Sequence, residues 1–74
     1  MKAISIKSEI TGTVCSIIAT VGQQVEEGDT ILLIESMKME IPAQAPCAGT
    51  ITEILAQEGD LINEDDAIAT IEAP

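Results

Sequence analysis

Histidine, arginine, phenylalanine, tyrosine and tryptophan are all missing from this chain of 74 residues, and only three lysines stand against 13 aspartates and glutamates. Without imidazole there is no Ser-His or Cys-His nucleophile pair and no histidine metal ligand; without guanidinium there is no bidentate phosphate clamp. A formal charge of −10 repels nucleic acid and anionic lipid, and no aromatic ring is there to stack on a base. No apolar run has the length of a membrane span, and the N-terminal stretch bearing Lys2 and Lys7 lacks a signal-peptide core. The expectation is a cytoplasmic, non-catalytic protein with no metal centre, no nucleic-acid partner and no membrane insertion. Cysteine is scarce as well: Cys15 and Cys47 lie 32 residues apart outside any CxxC pattern, which indicates reduced thiols rather than a metal site.

What is present favours strands. Ile, Val and Thr supply 23 of the 74 residues, and β-branched side chains suit a pleated, half-buried surface. Gly12, Gly22, Gly28-Asp29, Gly49, Gly59-Asp60 and Asn63 punctuate short apolar runs, the pattern of many short strands joined by turns. Residues 10–35 also align with 47–72 at a constant offset of 37. Gly12/Gly49, Thr13/Thr50, Ile17/Ile54, Ala19/Ala56, Gly22/Gly59, Asp29/Asp66, Ile34/Ile71 and Glu35/Glu72 are identical pairs. The chain is thus expected to be one domain, 1–74, made of two copies, 1–37 and 38–74, each too small to bury its own apolar face. The shared apolar positions Val14, Ile17, Val25, Ile31 and Ile34, with Ile51, Ile54, Ile62, Ile68 and Ile71, form the expected core. The three-residue spacings Ile31 to Ile34 and Ile68 to Ile71 break strict alternation and predict bulges or bends where a strand turns between two sheets. The fold class that follows is all-β: a flattened barrel or sandwich of two small antiparallel sheets with quasi-two-fold symmetry, a barrel-sandwich hybrid.

The seam between the copies falls at Met37-Lys38, within Glu35-Ser36-Met37-Lys38-Met39-Glu40. A hairpin tip ordinarily uses Asn, Asp or Gly, because the favoured turns need positive φ. None is present. Two methionines bracket a single lysine where polar residues are the rule, which leaves two readings: the methionines fold back onto the sheet beside a solvated lysine, or they meet another molecule.

The run at 35–40, with Ala45-Pro46-Cys47-Ala48-Gly49-Thr50-Ile51 and Glu58-Gly59-Asp60, resembles the biotinyl domain of biotin-dependent carboxylases, the biotin carboxyl carrier protein, within the biotin/lipoyl attachment family. Between Val14 and Gly22 there is no room for a protruding thumb, so the likeness is to the thumbless type. Ser36 stands where such domains usually have Ala, Gln23 where Asp is frequent, and Asp65 takes the turn position that Gly28 holds in the first copy.

The resemblance implies that Lys38 carries covalent biotin at an exposed tip, and that Glu35, Ser36, Met37, Met39 and Glu40 are recognition residues. It implies a carrier subunit or domain, not an enzyme, with acetyl-CoA carboxylase-like systems among the candidates. Its partners would be a biotin protein ligase, a biotin carboxylase and a carboxyltransferase, with the domain itself monomeric. Carboxylate would be taken up on the ureido ring at one site and delivered at the other. Only the free amine of a lysine attacks an activated carboxyl group, so the base that takes its proton must come from the ligase. The alternative is a lipoyl carrier domain of a 2-oxo acid dehydrogenase or glycine cleavage system, although lipoyl domains rarely place methionine on both sides of the lysine. Met1 and the lack of an Ala/Pro-rich linker favour a free-standing chain.

Overall fold

The computed structural model describes residues 2–74, and among these every regular element is a β-strand. They are β1 (Lys2–Lys7), β2 (Gly12–Ile17), β3 (Gln24–Val25), β4 (Thr30–Ser36), β5 (Met39–Gln44), β6 (Gly49–Ile54), β7 (Leu61–Ile62) and β8 (Ala67–Ala73). Adding 37 to the bounds of β1, β2, β3 and β4 gives those of β5, β6, β7 and β8, so the duplication extends to every strand.

Two four-stranded antiparallel sheets result, in the orders β1-β8-β6-β3 and β5-β4-β2-β7. Each copy supplies the two central strands of one sheet and both edge strands of the other. Neither half therefore has a complete sheet of its own, and the burial of Ile34 and Ile51 at the centre depends on both.

The register carries four bulges, also in matched pairs. Cys15 is the extra residue between Val14 and Ser16 on β2, as Thr52 is between Ile51 and Glu53 on β6. Ile31 is skipped in the β4–β5 ladder and Ile68 in the β1–β8 ladder. A bulge puts two successive residues on one face, which is why Ile31 and Leu32 are both buried, as are Ile68 and Ala69. The irregularities at Ile31 and Ile68 arise where the three-residue spacings place them, those at Cys15 and Thr52 are additional, and no strand changes sheet at any of the four. The crossings are made instead by the loops: every connection but the β4–β5 hairpin passes from one sheet to the other, those after β2 and β6 among them. Gly22 N–H donates to Ile51 O at 2.7 Å and Gly59 N–H to Val14 O at 2.8 Å, tying each loop to the opposite sheet.

Eight of the ten expected core positions are buried; Ile17 and Ile54 are half-buried at the rim. The rest of the core is small or aliphatic: Ile6, Leu32, Ala19, Ala45, Ala56 and Ala69. Turns are closed by side-chain clasps that also repeat. Asp29 accepts from Glu26 N–H, and Asp66 from Asn63 N–H, each at 2.9 Å. Gln23 accepts from Thr20 N–H at 3.0 Å just as Asp60 accepts from Gln57 N–H at 2.9 Å, so Gln in place of Asp keeps the clasp.

Candidate functional site

β4 and β5 form a hairpin whose closing pair is Ser36 and Met39, leaving Met37 and Lys38 as a two-residue turn. Met37 has φ 52° and Lys38 φ 66°. Positive φ at both central residues is the signature of the type I′ turn, whose twist matches that of the flanking strands. Among the described residues the only other non-glycine with positive φ is Asp65, at 73°. Two adjacent side chains that resist the left-handed region are held there by the ladder beneath them, a form of local strain that concentrates at functional sites.

The same geometry pushes the turn side chains outward. Met37 is 92% exposed and Met39 63%, so the methionines do not fold back onto the sheet. Lys38 is exposed between them. Beneath the tip, Ile34 pairs with Ile41 and Ile34 is buried, which anchors the hairpin to the core one rung below the acids.

Glu35 and Glu40 face each other directly across the ladder, a like-charge cross-strand pair that costs stability on its own account. Both are exposed. Glu40 Oε2 lies 3.8 Å from Sγ of Cys15, and the Cys15 thiol donates to Leu33 O at 3.4 Å. Partial desolvation, reinforced by the negative charge of Glu40, raises the Cys15 thiol above its ordinary pKa. Cys15 is thus a neutral thiol on the outer face of the sheet, and both cysteines are free. Its mate Thr52 makes the same kind of contact, donating to Thr70 O at 3.3 Å.

Gly12 brings β2 close under this hairpin. A Cβ there would fall on the carbonyl oxygen of Glu35 and 2.7 Å from Cγ2 of Ile34, so only glycine lets the strands approach where the β4–β5 hairpin begins.

The six residues singled out at 35–40 are thus brought together on one hairpin, with Met37, Lys38 and Met39 at the tip and Glu35, Ser36 and Glu40 on its stem. The structure adds Cys15 and Gly12, which sequence spacing leaves more than 20 residues away. Among the described residues no cluster of His, Cys, Asp and Glu is placed to hold a metal ion, and no helix is long and apolar enough to cross a membrane. A group joined through an amide needs an accessible primary amine on a support that does not collapse around it, and Lys38 meets both conditions.

Comparison with known proteins agrees with this geometry. A family model described as "Biotin-requiring enzyme" matches residues 1–71. A relative from Mycolicibacterium smegmatis, the biotinylated protein TB7.3 homolog, is 46% identical over 43 residues, covering 58% of this chain and 61% of the relative. Biotinylated protein TB7.3 of Mycobacterium tuberculosis is 42% identical over the same length. The match to these curated relatives thus spans about three fifths of their length. Urea carboxylase of Kluyveromyces lactis superposes with a TM-score of 0.92 at 36% identity, over 97% of this chain and 6% of that one. A single-chain, multi-domain long-chain acyl-CoA carboxylase gives a TM-score of 0.85 at 24% identity, over 92% of this chain and 7% of that one, a likeness of fold alone. Because the family model runs along nearly the whole chain and the fold is shared with a segment of a carboxylase, the protein is a member of the biotin-requiring family of biotinyl and lipoyl domains.

Proposed function

We propose that this chain is a biotin carboxyl carrier, with biotin joined by an amide to Nζ of Lys38. The observation that carries the reading is the strained tip. A lone lysine stands fully presented between two exposed methionines, on a two-residue turn that the chain holds without Gly or Asn. Such a turn fixes the direction in which the lysine leaves the domain, and the paired strands below it keep that direction constant.

Attachment needs little from this chain beyond placement. Deprotonated Nζ attacks the activated carboxyl carbon of biotin held by a biotin protein ligase; the C–N bond forms, the activating group leaves, and the amine proton passes to a base on the ligase. This chain offers no histidine for that role. The bound group supplies a ring that takes up carboxylate at a biotin carboxylase site and gives it up at a carboxyltransferase site. Met37 and Met39 offer soft, adaptable apolar contacts to each partner in turn. Glu35 and Glu40 present negative charge that orients docking on basic surfaces.

The test is intact mass after co-expression with a biotin protein ligase and free biotin. One biotin increment on the wild-type chain, absent from Lys38→Arg, is expected, together with streptavidin binding and the loss of one positive charge. Labelling of the arginine variant to the wild-type extent would refute the assignment. A lipoyl increment in its place, after expression with a lipoate ligase and none with the biotin ligase, would transfer the same site to the lipoyl branch of the family.

A further inference from the structure

The duplication provides an internal comparison. Outside the turn at 37–38, each strand position has a mate 37 residues away in the same local fold, so exposed positions at which the mates differ report something other than folding. The largest such contrast near Lys38 lies on β7. Leu61 is 71% exposed, while its mate on β3 is Gln24, a polar residue that is exposed too.

Leu61 is far from Lys38 in sequence but close in the sheet. It pairs with Thr13, Thr13 pairs with Glu35, and Glu35 pairs with Glu40, so one row crosses the outer face at the base of the hairpin. With strands spaced by about 4.8 Å, Leu61 lies roughly 10 Å from Glu35. At the other end of the pseudo-symmetry, Gln24, Thr50, Glu72, Ala73 and Pro74 line a single groove of about 610 Å³. The 37-residue offset maps those five onto Leu61, Thr13, Glu35, Ser36 and Met37. Among the described residues six large apolar side chains are markedly exposed, and three of them, Met37, Met39 and Leu61, lie on the lysine hairpin or in the row that crosses its base. Glu35 and Glu40 pair on the stem of the hairpin and Asp60 precedes Leu61, and all three are exposed.

We infer that Leu61 is a specificity-determining contact for the enzyme that modifies Lys38, seated in an apolar patch of the biotin protein ligase that is bordered by basic side chains. This rests on the carrier reading. The ligase is the occupant because it meets the domain while Lys38 is still bare, when the polypeptide around the lysine is all there is to recognise. An apolar centre formed by two methionines and a leucine, rimmed by acids, is complementary to an apolar patch with a Lys or Arg rim. Leu61 extends the recognised surface from the hairpin to the neighbouring edge strand, which a free peptide carrying residues 35–40 would lack.

The duplicate supplies the variants, since glutamine is the residue the fold already accommodates at the mate position. Leu61→Gln, Leu61→Met and the far-side control Gln24→Leu are labelled by purified biotin protein ligase, and kcat and KM are measured against carrier concentration. Leu61→Gln is expected to lower kcat/KM about three- to tenfold, the range of a peripheral apolar contact, chiefly through KM. Leu61→Met and Gln24→Leu are expected to stay within about twofold of wild type, and all variants to keep the far-UV spectrum of the folded domain. Equal kcat/KM for Leu61→Gln and wild type overturns the inference, as does a loss in Leu61→Met equal to that in Leu61→Gln. A wild-type chain that the ligase fails to label sinks the carrier reading instead, so the two failures are distinct.

Discussion

Replacing Met37 by glycine should stabilise the domain and impair it as a ligase substrate. Met37 sits at φ 52°, where an L side chain costs roughly 1–2 kcal/mol relative to the right-handed region. Glycine removes that cost but brings back about 0.5–1 kcal/mol of backbone freedom in the unfolded chain. Little burial is lost, because Met37 is 92% exposed. The net is a gain of about 0.5–1 kcal/mol, which for a domain of this size raises Tm by about 2–8 °C. With no aromatic residue the chain gives no intrinsic fluorescence signal, so the assay is far-UV circular dichroism on unmodified protein, by heat and by urea. Labelling of Lys38 in the variant is expected to slow, since a methionine contact is lost while the amine remains. Stability rising as function falls is the signature of strain kept for a purpose. A Met37→Gly variant that melts below wild type would refute the strain assignment, because the exposed side chain has too few contacts to explain the loss.

Three further outcomes follow from the duplication and the packing. Asp65→Gly should raise stability by about 0.5–1 kcal/mol while Gly28→Ala lowers it by about 1 kcal/mol, since the mates share positive φ of 73° and 90° and no atom lies within 4 Å of a Cβ at Gly28; paired urea melts decide, and equal shifts of the same sign would contradict the backbone explanation. Gly12→Ala should cost about 1–3 kcal/mol, because its Cβ meets Ile34 Cγ2 at 2.7 Å and the Glu35 carbonyl, and an unchanged urea midpoint would show that β2 and β4 can part without loss. Alkylation of Cys15 should titrate above the pH at which the unfolded chain's thiol does, and Glu40→Gln should move it back down. The folded-state pKa is raised, so the associated stability is fully present below the unfolded thiol's pKa and declines as pH rises through the folded one; a native midpoint at or below that of the unfolded chain would contradict the placement of Glu40.

Much of this architecture was legible because the repeat is regular. An offset of 37 carries every strand onto its mate, and the paired isoleucines at 31 and 34, and at 68 and 71, announced both the core and its bulges. The exchange of edge strands between the halves was not legible, since pairing β1 with β8 and β3 with β6 leaves no local trace in the apolar pattern. Ile17 and Ile54 sit at strand ends where the loops lift away, so identical residues in identical frames end up half-buried. Ser8 takes the place of its buried mate Ala45 and is itself 1% exposed; its hydroxyl donates to Ile10 O at 2.6 Å, a local closure that makes a polar residue tolerable inside. Leu61, next to the core position Ile62, is an apolar residue that the strand register turns outward.

Lys38 occupies the position where the duplication must fail. The mate of the turn Met37-Lys38 is the pair of residues 74 and 1, so one hairpin of the symmetric design is closed and the other is the place where the described chain begins and ends. At the turns 20–23 and 57–60, and again at 26–29 and 63–66, the two copies reach the same solution, as the four clasps at Gln23, Asp29, Asp60 and Asp66 show. The closed hairpin has no such counterpart, and its sequence departs from ordinary turn chemistry in all respects at once: no Gly or Asn, two exposed methionines, a like-charge pair on the stem. The left-handed turn residues and the like-charge pair cost stability, while the exposed methionines add almost none through burial. They are tolerated because the hairpin springs from strands whose inner side chains, Ile31, Leu32 and Ile34, are essentially inaccessible to solvent. Exchanging the local penalties for a good turn, as in Met37→Gly-Lys38→Asn, would leave that foundation untouched and remove the amine, so the symmetric scaffold should persist as a more stable protein with nothing left to modify.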